Sequence, residues 1–211
     1  MNKLNKKIRV KTKMEIITGL HIGDSKDNVE IGGIDNPIVR RTIDNVPYIP
    51  GSSLKGKIRS LLEQIAGSAK VGGNDEINNL FGFSSDNKPS KIIFRDSYMD
   101  NESLEKLKNS EYTDMPYAEV KFENVIDRIK GTAEHPRQME RIPAGVSFDI
   151  EIIINVWSED EENKLIELLE KGIKALENDY LGGSGSRGYG QVKFGQLNKE
   201  EVSFENYLES K

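Results

Sequence analysis

The chain is predicted to adopt an α+β fold, and three patterns among its 211 residues carry that prediction. Apolar and polar residues alternate along Ile8 to Thr18, as they do in a half-buried strand. Two later segments repeat apolar residues every three or four positions, as amphipathic helices do. Short strand-like segments follow each helix, which gives the order β-α-β-β-α-β. This order is the ferredoxin-like arrangement, which RNA-recognition motifs share.

The first half of the chain supplies one helix and two strands. The turn at 47–52 leads into a helix from about Ser53 to Ala66, with a buried stripe of leucine and isoleucine. The polar stretches 67–79 and 84–91 are predicted to be loops. Lys91 to Tyr98 is predicted to be the second strand.

An insertion opens the second half. Asn101 to Tyr117 includes a short helical stretch, and the charged segment from Tyr117 to Arg141 is predicted to form a protruding hairpin. We therefore expect a single domain over residues 1–211, with a core at about 8–66, 90–99 and 145–196 and an insertion at about 100–144.

The last elements are a strand, a helix and a further strand. Phe148 to Trp157 is a strongly apolar strand, and Ser158 to Glu161 fits a capping box, so a helix is predicted to start there. The last strand, Gln191 to Phe194, follows a glycine-rich loop. The tail after Leu197 is predicted to be a short acidic helix.

Composition excludes several classes of protein. The chain has no cysteine and only two histidines, which excludes disulfide frameworks, thiolate zinc sites and histidine-rich metal sites. No apolar run approaches the ~18 residues of a membrane span, and the N-terminus lacks the apolar core of a signal peptide. We therefore expect a cytoplasmic protein without a membrane partner. The net charge is −5, but residues 1–60 are basic and residues 158–179 acidic, which is compatible with a local anion-binding face or with ordinary solvated charge.

The segment Leu181 to Gly190, L-G-G-S-G-S-R-G-Y-G, says most about function. Glycines let a backbone approach a ligand closely and turn several N–H groups toward an anion. Arg187 adds a planar cation suited to phosphate. One or two glycines would fit an ordinary helix C-terminus, but five within nine residues favour a phosphate-contacting loop.

Two motif matches in this loop are weaker. The glycines satisfy G-x-G-x-x-G, but a dinucleotide site needs a strand before the loop and a helix after it, and this chain has the reverse order. Arg187 to Phe194 fits an RNA-recognition strand, except that Gln191 replaces an aromatic residue and the strand follows the last long helix. This match is compatible with RNA binding but does not establish it.

Asp35 and His21 are the candidate catalytic residues, and both lie in the loop at 19–36. Asp35 stands between a glycine pair and Pro37, which constrains its backbone. Its carboxylate could hold a divalent cation near phosphate oxygens, act as a base, or simply form an Asx-turn. His21 could be a general acid or base or a base-stacking contact, although a lone histidine after a strand is more often structural.

A basic helix start follows the turn at Pro50. The sequence resembles a phosphate loop only loosely, because Ile58 stands where a nucleotide-hydrolysing loop needs Ser or Thr. Lys55, Lys57 and Arg59 nevertheless suit a polyanion backbone.

Six segments in order carry a family resemblance that spans nearly the whole chain. They are T-G-L-H-I-G at 18–23, G-G-I-D-N-P at 32–37, P-Y-I-P-G-S-S-L-K-G-K-I-R at 47–59, K-F-E-N-V-I-D-R at 121–128, P-R-Q-M-E-R at 136–141 and L-E-N-D-Y-L-G-G-S-G-S-R-G-Y-G at 176–190. Together they resemble the backbone RAMP subunit of type III-A (Csm-type) CRISPR–Cas effector complexes.

The resemblance implies a mechanism. Such subunits stack into a helical filament along a CRISPR RNA, and each has a protruding hairpin, the thumb, which here falls on 121–141. The thumb distorts the guide–target duplex at regular intervals. One aspartate per subunit cuts target RNA beside each distortion with Mg²⁺ or another divalent cation, and Asp35 falls on that catalytic and metal-binding position.

The resemblance and the basic residues together define the expected RNA contacts and partners. The RNA-binding candidates are His21, Lys55, Lys57, Arg59, Arg128, Arg137, Gly182, Gly183, Gly185, Arg187 and Gly188. The expected partners are CRISPR RNA, target RNA, other subunits of the effector complex and further copies of this chain in a filament. Two alternatives stay open: a metal-independent CRISPR RNA-processing endonuclease that uses His21, and a non-catalytic RNA-binding filament subunit.

Overall fold

A computed structural model describes residues 3–23 and 34–203. The strands are β1 (Leu4–Ile16), β2 (Tyr48–Ile49), β3 (Ile92–Phe94), β4 (Ser97–Met99), β5 (Glu119–Ile126), β6 (Ala133–Arg141), β7 (Ser147–Trp157), β8 (Val192–Phe194) and β9 (Asn198–Ser203). The helices are α1 (Gly51–Ile65), α2 (Asp75–Phe81), α3 (Asn101–Lys108) and α4 (Glu162–Glu177), with 3₁₀ turns at Ser84–Asp86 and Gly185–Arg187. Among the described residues, none of these helices is both long and apolar enough to cross a membrane.

A seven-stranded antiparallel sheet forms the centre of the fold. β1 and β7 are its central pair. β3 and β4 both pair with the other edge of β7, and β8 and β9 both pair with the other edge of β1. If each of these two sets is read as one interrupted strand, the chain follows the β-α-β-β-α-β order of the ferredoxin-like arrangement. The predicted fold class is therefore confirmed.

Helices α1 and α4 pack against each other and supply much of the core. Leu54, Ile58 and Leu62 of α1 are at most 2% exposed. Gly172 of α4 lies against Ile58, where any side chain would overlap, so the two helices approach closely. The amphipathic pattern of both helices is therefore explained by this buried contact.

β5 and β6 form a separate two-stranded hairpin, as the sequence predicts. The side chains of Phe122 and Ile129 are 64% and 95% exposed, so these apolar residues of the hairpin lie outside the main core. A bulge interrupts its register after Glu123, and His135 on the opposite strand has a φ of +50°. Bulges of this kind bend a strand and increase its twist.

Two predictions in the first half are wrong. Helix α2 lies partly within the stretch 67–79 that was expected to be a loop, because the Asn74 side chain caps Ile77 N at 3.0 Å and Ile77 is buried. The expected strand from Lys91 to Tyr98 is broken into β3 and β4. The break occurs where Asp96 accepts a hydrogen bond from Gly51 N at 2.8 Å and thereby fixes the start of α1.

Two predictions at the C-terminal end also need correction. Helix α4 begins at Glu162 rather than at the expected capping box, because Asp160 accepts from Trp157 N at 2.9 Å and so bonds the end of β7. The tail expected to be helical forms β9, because β8 pairs with only the last residues of β1 and leaves the rest of that edge open. Residues 204–211 of the expected helix lie outside the described residues.

Candidate functional site

Four segments meet at the base of the hairpin: the loop after β1, the segment around Asp35, strand β6 and the glycine-rich loop. Leu20 exchanges backbone hydrogen bonds with Ile142, just after β6, at 2.9 and 2.8 Å. Gly183 N donates to the His21 carbonyl at 2.9 Å. The structure therefore brings together the loop after β1, the end of the hairpin and the glycine-rich loop, which are far apart in the sequence.

Asp35 is exposed, and its carboxylate is held against β6. Oδ2 accepts a hydrogen bond from Gln138 N at 3.0 Å. The neighbouring Asn36 carbonyl accepts from Glu140 N at 3.1 Å. The Asx-turn interpretation does not fit this geometry, because Pro37 has no N–H to donate two residues along and the bond to Gln138 is long-range.

A buried ion pair, which sequence reasoning missed, fixes this segment. Glu140 accepts from Ile38 N at 2.8 Å and pairs with Arg40. Arg40 also donates to two backbone carbonyl groups, at 2.7 and 2.9 Å. The side chains of Glu140 and Arg40 are 3% and 13% exposed. Glu140 lies in the P-R-Q-M-E-R segment, but no local pattern pairs it with a residue 100 positions away.

His21 lies between β6 and the glycine-rich loop. It is 9% exposed, and its Nδ1 is 2.7 Å from the Glu140 carbonyl. Because a carbonyl oxygen only accepts hydrogen bonds, Nδ1 must carry a proton. This environment favours the structural interpretation of His21 over a direct role in chemistry.

The glycine-rich loop is a tight turn that still offers donors to a ligand. Gly182 has a φ of +77° and lies against the His21 carbonyl, so a side chain there would be strained and would overlap. Backbone N–H groups at Ser184, Gly185 and Ser186 make no hydrogen bond to another described residue. The loop is therefore a tight turn that leaves N–H groups able to donate to an anion.

Tyr189 links the glycine-rich loop to the hairpin. Its ring lies 4.4 Å from the Lys121 ammonium and 4.5 Å from the Arg141 guanidinium. Its hydroxyl donates to Glu123 at 2.7 Å. Burial, and then the Glu123 carboxylate, raises the pKa of Tyr189 to about 12, so this hydroxyl remains a hydrogen-bond donor at neutral pH.

A groove of about 280 Å³, here named the basic groove, lies beside this link. Arg187 Nε is 3.5 Å from Glu123 Oε2. The groove contains three cationic side chains and one carboxylate. Its lining residues are Lys121, Glu123, Asn124, Val125, Arg137 and Arg187.

A larger cavity of about 560 Å³ lies against the glycine-rich loop, and Lys57 contacts two of the residues that line it. Lys57 is 2.9 Å from Asp179 and 3.6 Å from the centre of the Tyr180 ring, and both of these residues line the cavity. Gly185 packs on that same ring, so a side chain at this position would overlap it. Lys57 and the glycine-rich loop therefore contact the same tyrosine ring.

The other two cations of α1 have different surroundings. Lys55 donates to Ser90 Oγ at 2.8 Å, and burial, followed by the nearby Arg59, lowers the pKa of Lys55. Arg59 bonds Glu63 at 2.9 Å, the Gly82 carbonyl at 2.8 Å and a further side chain. These bonds occupy the guanidinium of Arg59 within the protein.

Arg128 and Arg137 lie at different points of the hairpin. Arg137 is exposed, faces Glu123 across the two strands and lines the basic groove. Arg128 is exposed in the turn between β5 and β6. The structure thus brings Arg137 and Arg187 to one groove and leaves Arg128 near the hairpin tip.

A divalent cation at Asp35 would have to take most of its ligands from a substrate and from water. Within residues 3–23 and 34–203, no group of three His, Asp or Glu side chains is arranged to hold a metal ion. Mg²⁺ commonly takes one or two protein carboxylates and completes its coordination with waters and phosphate oxygens. The exposed carboxylate of Asp35 fits that pattern.

The sheet, the hairpin and the glycine-rich loop together define the class of this protein. The profile of the RAMP superfamily matches residues 13–193, and the chain belongs to that superfamily, in its Csm type. The resemblance read from the six sequence segments is therefore confirmed.

Proteins of similar sequence indicate which members of this superfamily the chain resembles. The chain is 44% identical over 211 residues to the CRISPR system Cms endoribonuclease Csm3 of Streptococcus thermophilus, with 95% of this chain and 92% of that protein covered. It is 42% identical over 210 residues to the protein of the same description from Methanothermobacter thermautotrophicus, with 90% and 84% covered.

Solved structures agree with the relatives. A chain of the Csm3–Csm4 subcomplex in the type III-A CRISPR–Cas interference complex is similar at a TM-score of 0.65 and 31% identity, with 99% of this chain and 86% of that chain covered. The crystal structure of Csm3 from Methanopyrus kandleri matches at a TM-score of 0.68 and 20% identity, with 97% and 80% covered, which supports the fold alone.

Proposed function

We propose that the chain is a guide-RNA-binding backbone subunit of a type III-A CRISPR–Cas interference complex and an endoribonuclease that cleaves the target RNA. Relatives at 42% and 44% identity are endoribonucleases by description, and a similar chain comes from a type III-A interference complex. The observation that carries the proposal is the position of Asp35: it is exposed and its carboxylate is bonded to β6 at the base of the hairpin.

RNA binding is assigned mainly to the glycine-rich loop and its surroundings. The N–H groups at 184–186 and the cations Lys57 and Arg187 are suited to phosphate oxygens. Contacts of this kind bind RNA regardless of sequence, as a subunit that must accept any guide requires. Copies of the chain would follow one another along the guide by a head-to-tail contact, which generates an open filament when it does not close.

Cleavage is assigned to Asp35. Its bond to Gln138, together with the buried pair beneath it, holds the carboxylate in one place while leaving it open to solvent. A divalent cation bound there would stabilise negative charge at the scissile phosphate. The ribose 2′-hydroxyl would lose its proton and attack the adjacent phosphorus, forming a 2′,3′-cyclic phosphate as the 5′-oxygen of the next nucleotide leaves and takes up a proton. This attack needs in-line geometry, which displacement of a nucleotide by the hairpin would provide. The burial of His21 argues against the metal-independent alternative.

The test is target cleavage by reconstituted complexes. Asp35→Ala should lower the cleavage rate by roughly a hundredfold or more, as loss of other electrostatic catalytic groups does, while guide binding persists. Asp44→Ala is the control, because Asp44 is another carboxylate of the same region of the sequence and is bonded to Arg41. Undiminished cleavage by an assembled Asp35→Ala complex would remove Asp35 from the chemistry. Full activity of the wild type in EDTA would exclude the metal and favour His21.

A further inference from the structure

We propose that the basic groove binds one phosphate of an RNA backbone and that Glu123 competes with this phosphate for Arg187, which limits the affinity of the chain for RNA. The inference rests on the proposed function, because it takes RNA as the ligand. It adds a defined phosphate site on the hairpin and a residue that works against binding.

The charges of the groove favour an anion. Lys121, Arg137 and Arg187 line it together with a single carboxylate, that of Glu123. The side chains of Lys121 and Arg187 are 37% and 54% exposed, so both can reach a ligand from solvent. One negative charge among three positive ones leaves the groove with a net positive charge when it is empty of ligand.

The hydrogen bonds of Glu123 show which of these groups is fixed. Its carboxylate is 15% exposed and accepts the short bond from the Tyr189 hydroxyl at 2.7 Å. Arg187 and Lys121 lie farther away, at 3.5 and 3.9 Å. Charge-assisted hydrogen bonds are normally about 2.7–2.9 Å long, so these two cations are held only loosely. Tyr189 therefore anchors the carboxylate, while the cations can turn to a phosphate.

The neighbourhood of Arg187 favours a phosphate of a nucleic acid over an isolated small anion. Arg187 donates to Ser184 Oγ at 3.0 Å, which places it next to the N–H groups at 184–186 that bond no other described residue. The groove therefore continues into the second anion-binding surface of the glycine-rich loop. Two adjoining anion sites suit a ligand with repeated phosphates.

The experiment measures RNA affinity at several salt concentrations. Glu123→Gln keeps an acceptor for Tyr189 but removes the competing charge. It should tighten RNA binding by about threefold, the size of an exposed ion pair, and steepen the salt dependence by about 0.7 in slope for a single strand. Lys121→Met should change both quantities in the opposite direction. Glu119→Gln is the matched control on the same strand, because Glu119 pairs with Arg141, and it should change neither quantity.

Each outcome decides the matter. Equal effects on single-stranded guide RNA and on a guide–target duplex assign the phosphate to the guide, whereas an effect on the duplex alone assigns it to the target. Glu123→Gln protein that unfolds at the wild-type temperature but binds RNA no more tightly overturns the inference and leaves the proposed function intact. The inference also fails if Glu119→Gln tightens binding to the same extent. Wild-type protein that binds no RNA overturns the proposed function as well.

Discussion

The buried pair of Glu140 and Arg40 should be worth several times more to stability than the surface pairs of this chain. We predict that Glu140→Gln lowers the free energy of unfolding by about 2–3 kcal/mol. The substitution preserves the shape of the side chain and an acceptor for Ile38 N. It removes the charge and replaces the oxygen that accepts from Arg40 with an amide N–H₂ group, which cannot accept a hydrogen bond.

The magnitude follows from the surroundings of the pair. Removing one partner of a buried ion pair usually costs about 3–5 kcal/mol, because the other charge is left uncompensated. Here Arg40 keeps two backbone carbonyl acceptors and is 13% exposed, which offsets part of that loss. The side chain of Glu119 is 33% exposed beside Arg141, so Glu119→Gln should lower the free energy of unfolding by less than about 1 kcal/mol.

Urea denaturation of the four proteins of a double-mutant cycle measures this prediction. The wild type, Glu140→Gln, Arg40→Gln and the double variant should give a coupling energy of at least about 1 kcal/mol between the two positions. A Glu140→Gln protein within about 0.5 kcal/mol of the wild type would refute the reasoning. So would additivity of the two single substitutions.

Two further predictions concern the glycine-rich loop and a buried carboxylate. Gly182→Ala should destabilise the protein by about 1–2 kcal/mol in thermal unfolding, because the positive φ of Gly182 and a neighbouring backbone carbonyl exclude a side chain. Gly183→Ala is the control: a side chain has room at this position, and stability should change by less than about 0.5 kcal/mol. Burial of Asp100 by itself raises its pKa, but hydrogen bonds from Lys13 and Ser103 outweigh burial and hold the pKa below its usual value. Its contribution to stability is present above the unfolded pKa of about 4 and is lost as the pH falls through the lower folded pKa. Asp100→Asn should therefore be destabilising in urea at pH 7, and the destabilisation should shrink as the pH falls below the unfolded pKa.

Local periodicity was enough to predict most of the central elements. The alternation along β1 and the apolar stripes of α1 and α4 each arise because one face of the element is buried, and burial leaves its mark within a few consecutive residues. Helix α2 was missed because its seven residues are too few to show a period. Its only local sequence signal is the capping residue Asn74. The break between β3 and β4 was missed because Asp96 serves a helix more than forty residues earlier in the chain.

The candidate site likewise has features that the sequence could predict and features that it could not. The sequence alone pointed to the glycine-rich loop and Asp35 as candidates, because glycine spacing and the position shortly before Pro37 are local features. It could not show that Glu123 lies between Tyr189 and Arg187, since those contacts depend on how the hairpin packs against a loop 66 residues away.

What the sequence by itself determined is the class of fold, the segments proposed to carry chemistry and the family to which they point. Only the tertiary structure decided that Asp35 bonds β6 across 103 residues, that Glu140 and Arg40 fix it there, and that the tail forms β9. The physical reason is that residue patterns record burial along one element, whereas hydrogen bonds and ion pairs between elements depend on strand register and packing, which become defined only when the whole sheet has formed.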